Sequence, residues 1–364
     1  MARVLVGMSG GVDSSVAAAL MAEAGHDVIG VSLQLYDHSD GGRAARCCSP
    51  EDFLDARRVA DQVGFPYYVV NQEELFSRRV LDYFTAEYRS GRTPNPCVRC
   101  NADVKFETLA RLARDLGAGR VATGHYARLD DDPLTGRPRL RRAVDLSKDQ
   151  SYFLFDLSPE HLRAAFFPLG DMTKEQVRRE AHLLGLATAD KPESQDICFV
   201  EGGDYRQFLH RRAAADTAAA PEPAGEIVDT GGAVLGRHEG LSGFTVGQRR
   251  GLRVASSRRL YVVSLDAASH RVVLGGEDEL KARAIMLTGT RWIPFDRPAA
   301  PFETRVRLRH RHAGAGCHVA CDDDGGARVT LTEPQRGVSP GQAAVFYDDD
   351  TVIGGGWINR VEAA

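Results

Sequence analysis

Two observations predict a doubly wound parallel α/β sheet followed by two smaller β-rich domains. The first half of the 364-residue chain alternates short apolar runs with helical stretches, each bounded by capping residues or glycine, as a parallel sheet with helical crossovers requires. Beyond the low-complexity segment Ala213–Ala224 the pattern turns to short strands separated by Gly-rich turns. The apolar run Arg3–Met8 reads as the first strand and gives way to a glycine turn at Ser9–Ser15. An alanine-rich helix, Val16–Ala24, follows, with Gly25 as its C′ residue. Next come a strand at Val28–Leu35, a helix at Pro50–Val63 with Ser49 as N-cap and Gly64 as terminator, and a strand at Tyr67–Val70. A long helix around Glu73–Arg89, a proline-rich loop, a helix at Val104–Leu116 and a strand at Arg120–Thr123 complete the series. Ligands of such sheets bind at strand C-terminal ends, so the Ser9 turn, Leu33 and Gly124-His125 are expected to share one crevice. In the β region the strands are Glu226–Val228, Ala233–Leu235, Tyr261–Leu265 and Val272–Leu274, with a second all-β stretch from about Ile285 to Trp357. The expected divisions are 1–212, 213–284 and 285–364, and no internal repeat is evident.

Composition narrows the class. No run of about 18 apolar residues occurs, so no membrane span is expected. The first apolar segment runs straight into the glycine turn, unlike a secretion signal. Seven cysteines in such a chain predict a reduced, cytoplasmic protein whose thiols do chemistry or sit in cores. Cys317 and Cys321, at even spacing in the β region, read as buried; Cys47-Cys48 in the Gly41–Ser49 loop has no assignment. The formal net charge of −4 neither requires nor excludes a nucleic-acid partner. Arginines number 41 against five lysines, so only the placement of arginine, not its abundance, can speak for RNA binding.

The chemistry starts at Gly7-Met8-Ser9-Gly10-Gly11-Val12-Asp13-Ser14-Ser15. Consecutive glycines let the backbone close on a ligand, a helix N-terminus offers N–H groups and partial positive charge, and three serines add donors. These make a cradle for phosphate or pyrophosphate. A P-loop would need a Gly-Lys-Ser/Thr ending, yet no lysine precedes Lys105, and G-x-G-x-x-G is missing. The remaining pattern, S-G-G-x-D-S, resembles the PP-loop of ATP pyrophosphatases.

Three further elements bear on function. The loop Thr93–Asn101 is stiffened by two prolines and delivers Cys100 just before a helix, where the dipole would favour thiolate. Its C-x-x-C spacing also fits half of a zinc site, but the chain lacks the second pair. Cys198 lies in the polar, proline-broken segment Lys191–Phe199; alone it would read as a core residue. Lys148, amid small and polar residues, is either solvated surface or a phosphate contact. In the strand Arg305–His312, alternation puts Arg305, Arg307, Arg309 and Arg311 on one face, to be neutralised by phosphates or by acidic neighbours on adjacent strands.

Together the motifs GMSGGVDSS (7–15), PNPCVRCN (94–101), TGHYAR (123–128), SKDQSYFL (147–154), SQDICF (194–199), TVGQRRGL (245–252) and PGQ (340–342) resemble those of the bacterial tRNA-specific 2-thiouridylases over nearly the whole chain. The resemblance implies ATP, with magnesium, held at Gly7 to Ser14, Leu33 and Gly124. It implies contacts to the target base at Asn95, Pro96 and Cys97, and tRNA contacts at His125, Lys148, Asp149, Gln150, Arg309, His310 and Gln342. It makes Cys100 the nucleophile and Cys198 the carrier of a persulfide received from a sulfur-donor protein, with no metal. The implied reaction adenylates the C2 oxygen of the wobble uridine, after which the persulfide attacks C2 and Cys100 breaks the S–S bond, leaving a transient Cys100–Cys198 disulfide. Many relatives carry aspartate where this chain has Cys97. Two other readings compete: a small-molecule ligase with the same loop, and an iron–sulfur RNA enzyme with Cys97, Cys100 and Cys198 as ligands.

Overall fold

The computed structural model describes residues 1–36, 49–133, 135–193, 197–215 and 221–364; the Cys47-Cys48 pair lies outside them. Its first elements are β1 (Arg3–Gly7), α1 (Val12–Glu23), β2 (Asp27–Gln34), α2 (Pro50–Val63), β3 (Tyr67–Asn71), α3 (Glu73–Phe76) and α4 (Asp82–Arg89). Then follow α5 (Pro96–Arg99), α6 (Glu107–Asp115), β4 (Arg120–Thr123), β5 (Ala127–Asp131), β6 (Pro138–Arg142), α7 (Pro159–Ala164), β7 (Ala165–Phe166), α8 (Lys174–Leu183) and α9 (Tyr205–Ala215). The remaining elements are strands: β8 (Gly225–Asp229), β9 (Val234–His238), β10 (Tyr261–Asp266), β11 (Arg271–Gly275), β12 (Lys281–Trp292), β13 (Phe302–Arg307), β14 (Ala315–Cys321), β15 (Ala327–Arg336), β16 (Ala343–Asp348) and β17 (Thr351–Ala363). They form two compact units, one of residues 1–81, 97–203 and 349–353, the other of 82–96, 204–348 and 354–364.

The first unit is the doubly wound sheet. Five parallel strands run in the order β3-β2-β1-β4-β7. Val4, Val6 and Met8 pack with Val16, Ala17 and Ala19 of α1 on one face. On the other, Gly7 lies against Leu109 of α6. Helix α2 matches its sequence signals: Ser49 and Asp52 form a reciprocal capping box, and Gly64 closes the helix at φ 94°. The hairpin β5–β6 pairs with Thr351 and Val352.

Several boundaries differ from expectation. Helix α1 starts at Val12, four residues early, because Asp13, Ser14 and Ser15 suit a first helical turn; Ser14 and Ser15 hydroxyls donate back to the Gly11 carbonyl. The stretch Glu73–Arg89 is helical throughout but contains a π segment, Ser77–Leu81. The helix expected at Val104 starts at Pro96, since proline is favoured at a first helical position, and it passes through a π segment, Cys100–Phe106. Alanine, the strongest helix former, carries α9 to Ala215, into the stretch read as linker.

The second unit holds an antiparallel-rich sheet, β10-β11-β8-β9, and a six-stranded barrel, β12-β15-β14-β13-β16-β17, closed by the β12–β17 pairing. Helices α4 and α9 join through Phe84–Phe208 and a Tyr88–Tyr205 stack at 4.3 Å. Cys317 is buried and its thiol pushed up to about 12 by that burial, whereas Cys321 is only partly covered. The strand expected over Arg305–His312 ends at Arg307 and the chain turns, so the single arginine face does not form. Three of these guanidiniums bond locally: Arg305 donates to Gly314, Arg307 to His310 and His312, and Arg309 to Arg336, all backbone carbonyls.

Candidate functional site

Strand β1 delivers the glycine turn between its two neighbours, with Gly7 opposite Val31 of β2 and Thr123 of β4. The carbonyl of Met8 accepts from Ser32 Oγ (2.7 Å), which Tyr67 holds in turn (2.7 Å). Ser9 N donates to Ser14 Oγ at 3.1 Å, closing the turn over the helix start. Gly11 is the N-cap of α1 and no side chain caps it, so the first-turn N–H groups face the crevice without a side-chain acceptor. Gly10 adopts φ 72°, and a Cβ there would lie 2.2 Å from the Asp52 carbonyl of α2. Gly124 approaches as closely from the other side, where a Cβ would stand 2.7 Å from Ser14 N. Leu33, near the end of β2, is buried. The expected convergence of the turn, β2 and Gly124 is therefore present.

A charged network lies over this turn. Asp13 Oδ1 accepts from Tyr126 Oη (2.8 Å) and Lys174 Nζ (2.6 Å). Lys174 is the first residue of α8, whose Val177 and Ala181 share a core with α1, and that packing carries the ammonium to Asp13. Lys174 also pairs with Glu193 (3.0 Å), which accepts from Lys148 (2.6 Å) with Arg178 at 3.8 Å. Burial alone would raise the Glu193 carboxyl, but hydrogen bonds from Lys148 and Lys174 outweigh it and hold it below the usual range. Burial, reinforced by Asp13, pushes the Tyr126 phenol far up, so it stays a neutral donor. Sequence reasoning missed Tyr126, Lys174 and Glu193. The available signal was the scarcity of lysine.

The residues around this network are tied to it. Gln150 brackets the Tyr126 backbone, accepting from its N–H through Oε1 (2.9 Å) and donating its own N–H to its carbonyl (2.8 Å). Asp149 is buried and accepts from Arg142 and from the amides of Ala143 and Ser151, so its carboxylate serves the turn itself. His125 Nδ1 lies 2.8 Å from Thr123 Oγ1, between the rings of Phe106 and Phe167. Burial, then the Lys105 charge, pushes its imidazole down to about 3, leaving it neutral.

The thiols sit differently from expectation. Cys100 is buried one helical turn past Pro96, at the head of a π segment, so it is not at a helix N-terminus; Cys97, second in α5 and partly exposed, takes that position. Neighbouring Asn101 donates to the Phe153 carbonyl (3.2 Å). Cys198 lies partly exposed in a turn, and the adjacent Phe199 ring meets Phe76 of α3 at 5.8 Å. Helix α3 packs in turn on the π segment that Cys100 opens, so the segments that carry the two thiols both meet α3. Among the described residues, no three His, Cys, Asp or Glu side chains are gathered closely enough to hold a metal ion.

The other expected contacts belong to the second unit. Asn95 and Pro96 are buried there, preceded by Thr93 and Pro94, whose carbonyls accept from Gln342 Nε2 at 3.0 and 3.1 Å. Gln342 thus secures the strand of loop that leads into Cys97. Arg309 and His310 lie in the turn after β13.

Family models match three stretches of the chain: the tRNA methyl transferase HUP domain at 2–202, the tRNA methyl transferase PRC-barrel domain at 217–276 and the aminomethyltransferase beta-barrel domain at 282–358. A tRNA-specific 2-thiouridylase MnmA of Geobacter metallireducens is 50% identical over 362 residues, covering 98% of this chain and 96% of that protein. Proteins of the same name from Geotalea uraniireducens and Solibacter usitatus are 49% and 48% identical, again over 98% of this chain and 95% and 98% of theirs. Identity of that order along nearly the full length of each aligned chain shows that the chain belongs to the tRNA-specific 2-thiouridylase family.

Proposed function

We propose that the protein carries out ATP-dependent 2-thiolation of the wobble uridine of tRNA, as a sulfurtransferase. The observation that carries this is the coexistence, in one unit, of an uncapped glycine turn under a lysine network and two cysteines on segments that meet the same helix. The family-model descriptions speak of methyl transfer, but the half-identical relatives are named for thiolation, and two cysteines in the same unit as a pyrophosphate cradle suit that chemistry.

When bound, ATP supplies the activation that makes the uracil C2 oxygen a leaving group. The amides from Gly10 to Ser14 and the serine hydroxyls would receive the pyrophosphate charge, Gly124 lets its strand end lie close against the start of α1, and Lys174 and Lys148, held by Asp13 and Glu193, would supply positive charge nearby. Leu33 lines the nucleotide's apolar side. Magnesium would be held chiefly by the phosphates, with Asp13 the nearest carboxylate of the loop. Asn95, Pro96 and Cys97 hold the target base, while His125, Lys148, Asp149, Gln150, Arg309, His310 and Gln342 form the tRNA-binding set, Asp149 and Gln342 by shaping their loops. His125, being neutral, serves as a hydrogen-bonding group and not as a charge.

Cys198 receives sulfur from a donor protein as a persulfide, and its terminal sulfur attacks C2 of the adenylated base, breaking the C2–O bond and expelling AMP. Cys100 then attacks Sγ of Cys198, leaving sulfur on C2 and a Cys100–Cys198 disulfide. An external dithiol returns both to thiols, a requirement met in the cytoplasm. The division 1–212, 213–284 and 285–364 assigns nucleotide chemistry to the first part and RNA binding to the others. Mass analysis of wobble nucleosides from a strain lacking the gene tests the proposal. Loss of 2-thiouridine, restored by the gene, supports it; intact 2-thiouridine with loss of a methylated nucleoside would favour methyl transfer.

A further inference from the structure

One stretch of the second unit carries a run of positive charge with no acidic residue among it. Between Glu239 and Asp266 there is no acidic residue, yet Arg249, Arg250, Arg253, Arg258 and Arg259 fall within eleven positions. All five are exposed. Several other arginines are answered internally: Arg128 and Arg141 pair with Asp350, Arg139 with Asp130, and Arg305 and Arg307 donate to carbonyls. Among the described residues, none of the five loop guanidiniums has a carboxylate within ion-pairing distance, though Arg258 helps to hold the Glu279 carboxyl low.

The loop is built, not slack. Leu252 and Leu260 are buried in the core of the four-stranded sheet, with Val254 packed beside them. Gly247 N donates to Val262 O and Val262 N to Gln248 O, while Gln248 Nε2 donates to the Arg250 carbonyl at 3.0 Å. Ser256 Oγ donates to the Arg258 carbonyl and accepts from its amide. Arg253 is held at φ 56°, a backbone region that a non-glycine residue occupies only when its surroundings impose it. Apolar residues point in and guanidiniums point out. Between them stand only Gly251, Ala255, Ser256 and Ser257, small enough for a polyanion to come close and without a bulky apolar residue to enter a membrane.

We propose that the loop 249–259 is a clamp for the sugar–phosphate backbone of RNA, reading charge and not sequence. Five unneutralised cations on a rigid loop repel one another unless an anion lies over them, and the guanidinium fork matches phosphate oxygens. The proposal rests on the tRNA-directed function above and adds the surface that grips the substrate.

The test is binding of unmodified tRNA by the full chain across a potassium chloride series, comparing wild type with an Arg249→Gln, Arg250→Gln, Arg253→Gln triple variant. Three lost phosphate contacts flatten the log–log salt slope by about 2–3 and weaken binding about a hundredfold at 0.1 M salt. The corresponding triple lysine variant should keep most of the slope, and Arg139→Gln, which removes an arginine already paired with Asp130, should leave it unchanged. A steep wild-type slope retained in the glutamine triple variant would overturn the clamp while leaving the tRNA function standing; no binding by wild type would fail that function first. Binding of wild type, but not the triple variant, to vesicles containing phosphatidylserine, with an unaltered tRNA slope, would reassign the loop to a membrane surface and likewise overturn the proposal.

Discussion

Helix α1 is bounded by glycines with nearly the same backbone angle, Gly10 at φ 72° before it and Gly25 at φ 78° after it, but with different surroundings. A Cβ at Gly25 meets nothing within 4 Å, whereas one at Gly10 would lie 2.2 Å from the Asp52 carbonyl oxygen. Gly25→Ala therefore measures the left-handed backbone penalty alone, roughly 1–2 kcal/mol. Gly10→Ala adds a backbone clash that forces α2 and the turn apart by about 1 Å, an overpacking cost of about 1–3 kcal/mol. For a unit of this size each kcal/mol lowers Tm by roughly 2–4 °C, so Gly25→Ala should lose roughly 2–8 °C and Gly10→Ala roughly twice that. The functional consequence separates them further, since only Gly10 shapes the phosphate cradle. Scanning calorimetry of both variants with and without ATP is the assay. Wild type and Gly25→Ala should be stabilised by ATP and Gly10→Ala should not. Equal Tm losses together with an undiminished ATP-induced shift in Gly10→Ala would refute the assignment of the turn as the cradle.

Lys174→Met should abolish tRNA-stimulated pyrophosphate release and destabilise the first unit by up to about 3 kcal/mol, because it removes the only cation paired with Asp13 among the described residues, Glu193 keeping Lys148; Tyr126→Phe, which removes one hydrogen bond to Asp13, should cost about 1.5–3 kcal/mol with partial activity, and normal release by Lys174→Met would exclude a role at the phosphates. Cys198→Ser should never accept sulfur, Cys100→Ser should accumulate one sulfur atom on Cys198 by intact mass without releasing product, and Cys97→Ser should retain most activity; equal loss in all three with bleached visible absorption would point to a cluster. His125, with a folded-state value of about 3 against 6.5, binds its proton only after unfolding across that interval, so its contribution to stability is lost as pH falls from about 6.5 toward 3. His125→Gln should flatten the acid limb of a stability–pH curve, and an unchanged limb would show that the imidazole is not held neutral.

How much of this was legible in the sequence depended on whether the signal was local. The α2 helix was readable to the residue, because Ser49, Asp52 and Gly64 are caps whose chemistry acts within one turn. The glycine turn and its neighbours Leu33 and Gly124 followed from the register of a parallel sheet. The position of Cys100 did not, since a proline run reads equally as a stiff loop or as a first helical turn, and the π segment that continues the helix has no local signature. The arginine strand failed for the opposite reason: its alternation was real, but the turn after Arg307 is stabilised by guanidinium bonds to carbonyls that no periodicity encodes.

The lysine network shows what a better use of composition would have been. Lys174 and Glu193 stand more than 150 residues from Asp13, and only the packing of α8 on α1 brings them there, so no motif could have named them. Yet in a chain with 41 arginines, four of the five lysines belong to the first unit. Lys148 and Lys174 meet on Glu193, Lys191 bridges Asp52 and Asp55 near the start of α2, and Lys105 adds to burial in keeping His125 neutral. An ammonium is a compact point charge whose three donors rotate freely among acceptors; a guanidinium is a planar fork that needs its partners in one plane. Where carboxylates converge from different helices around a phosphate cradle, the point charge fits and the fork does not. On the open loop 249–259, facing a backbone of phosphates, the preference reverses, and there all five cations are arginine.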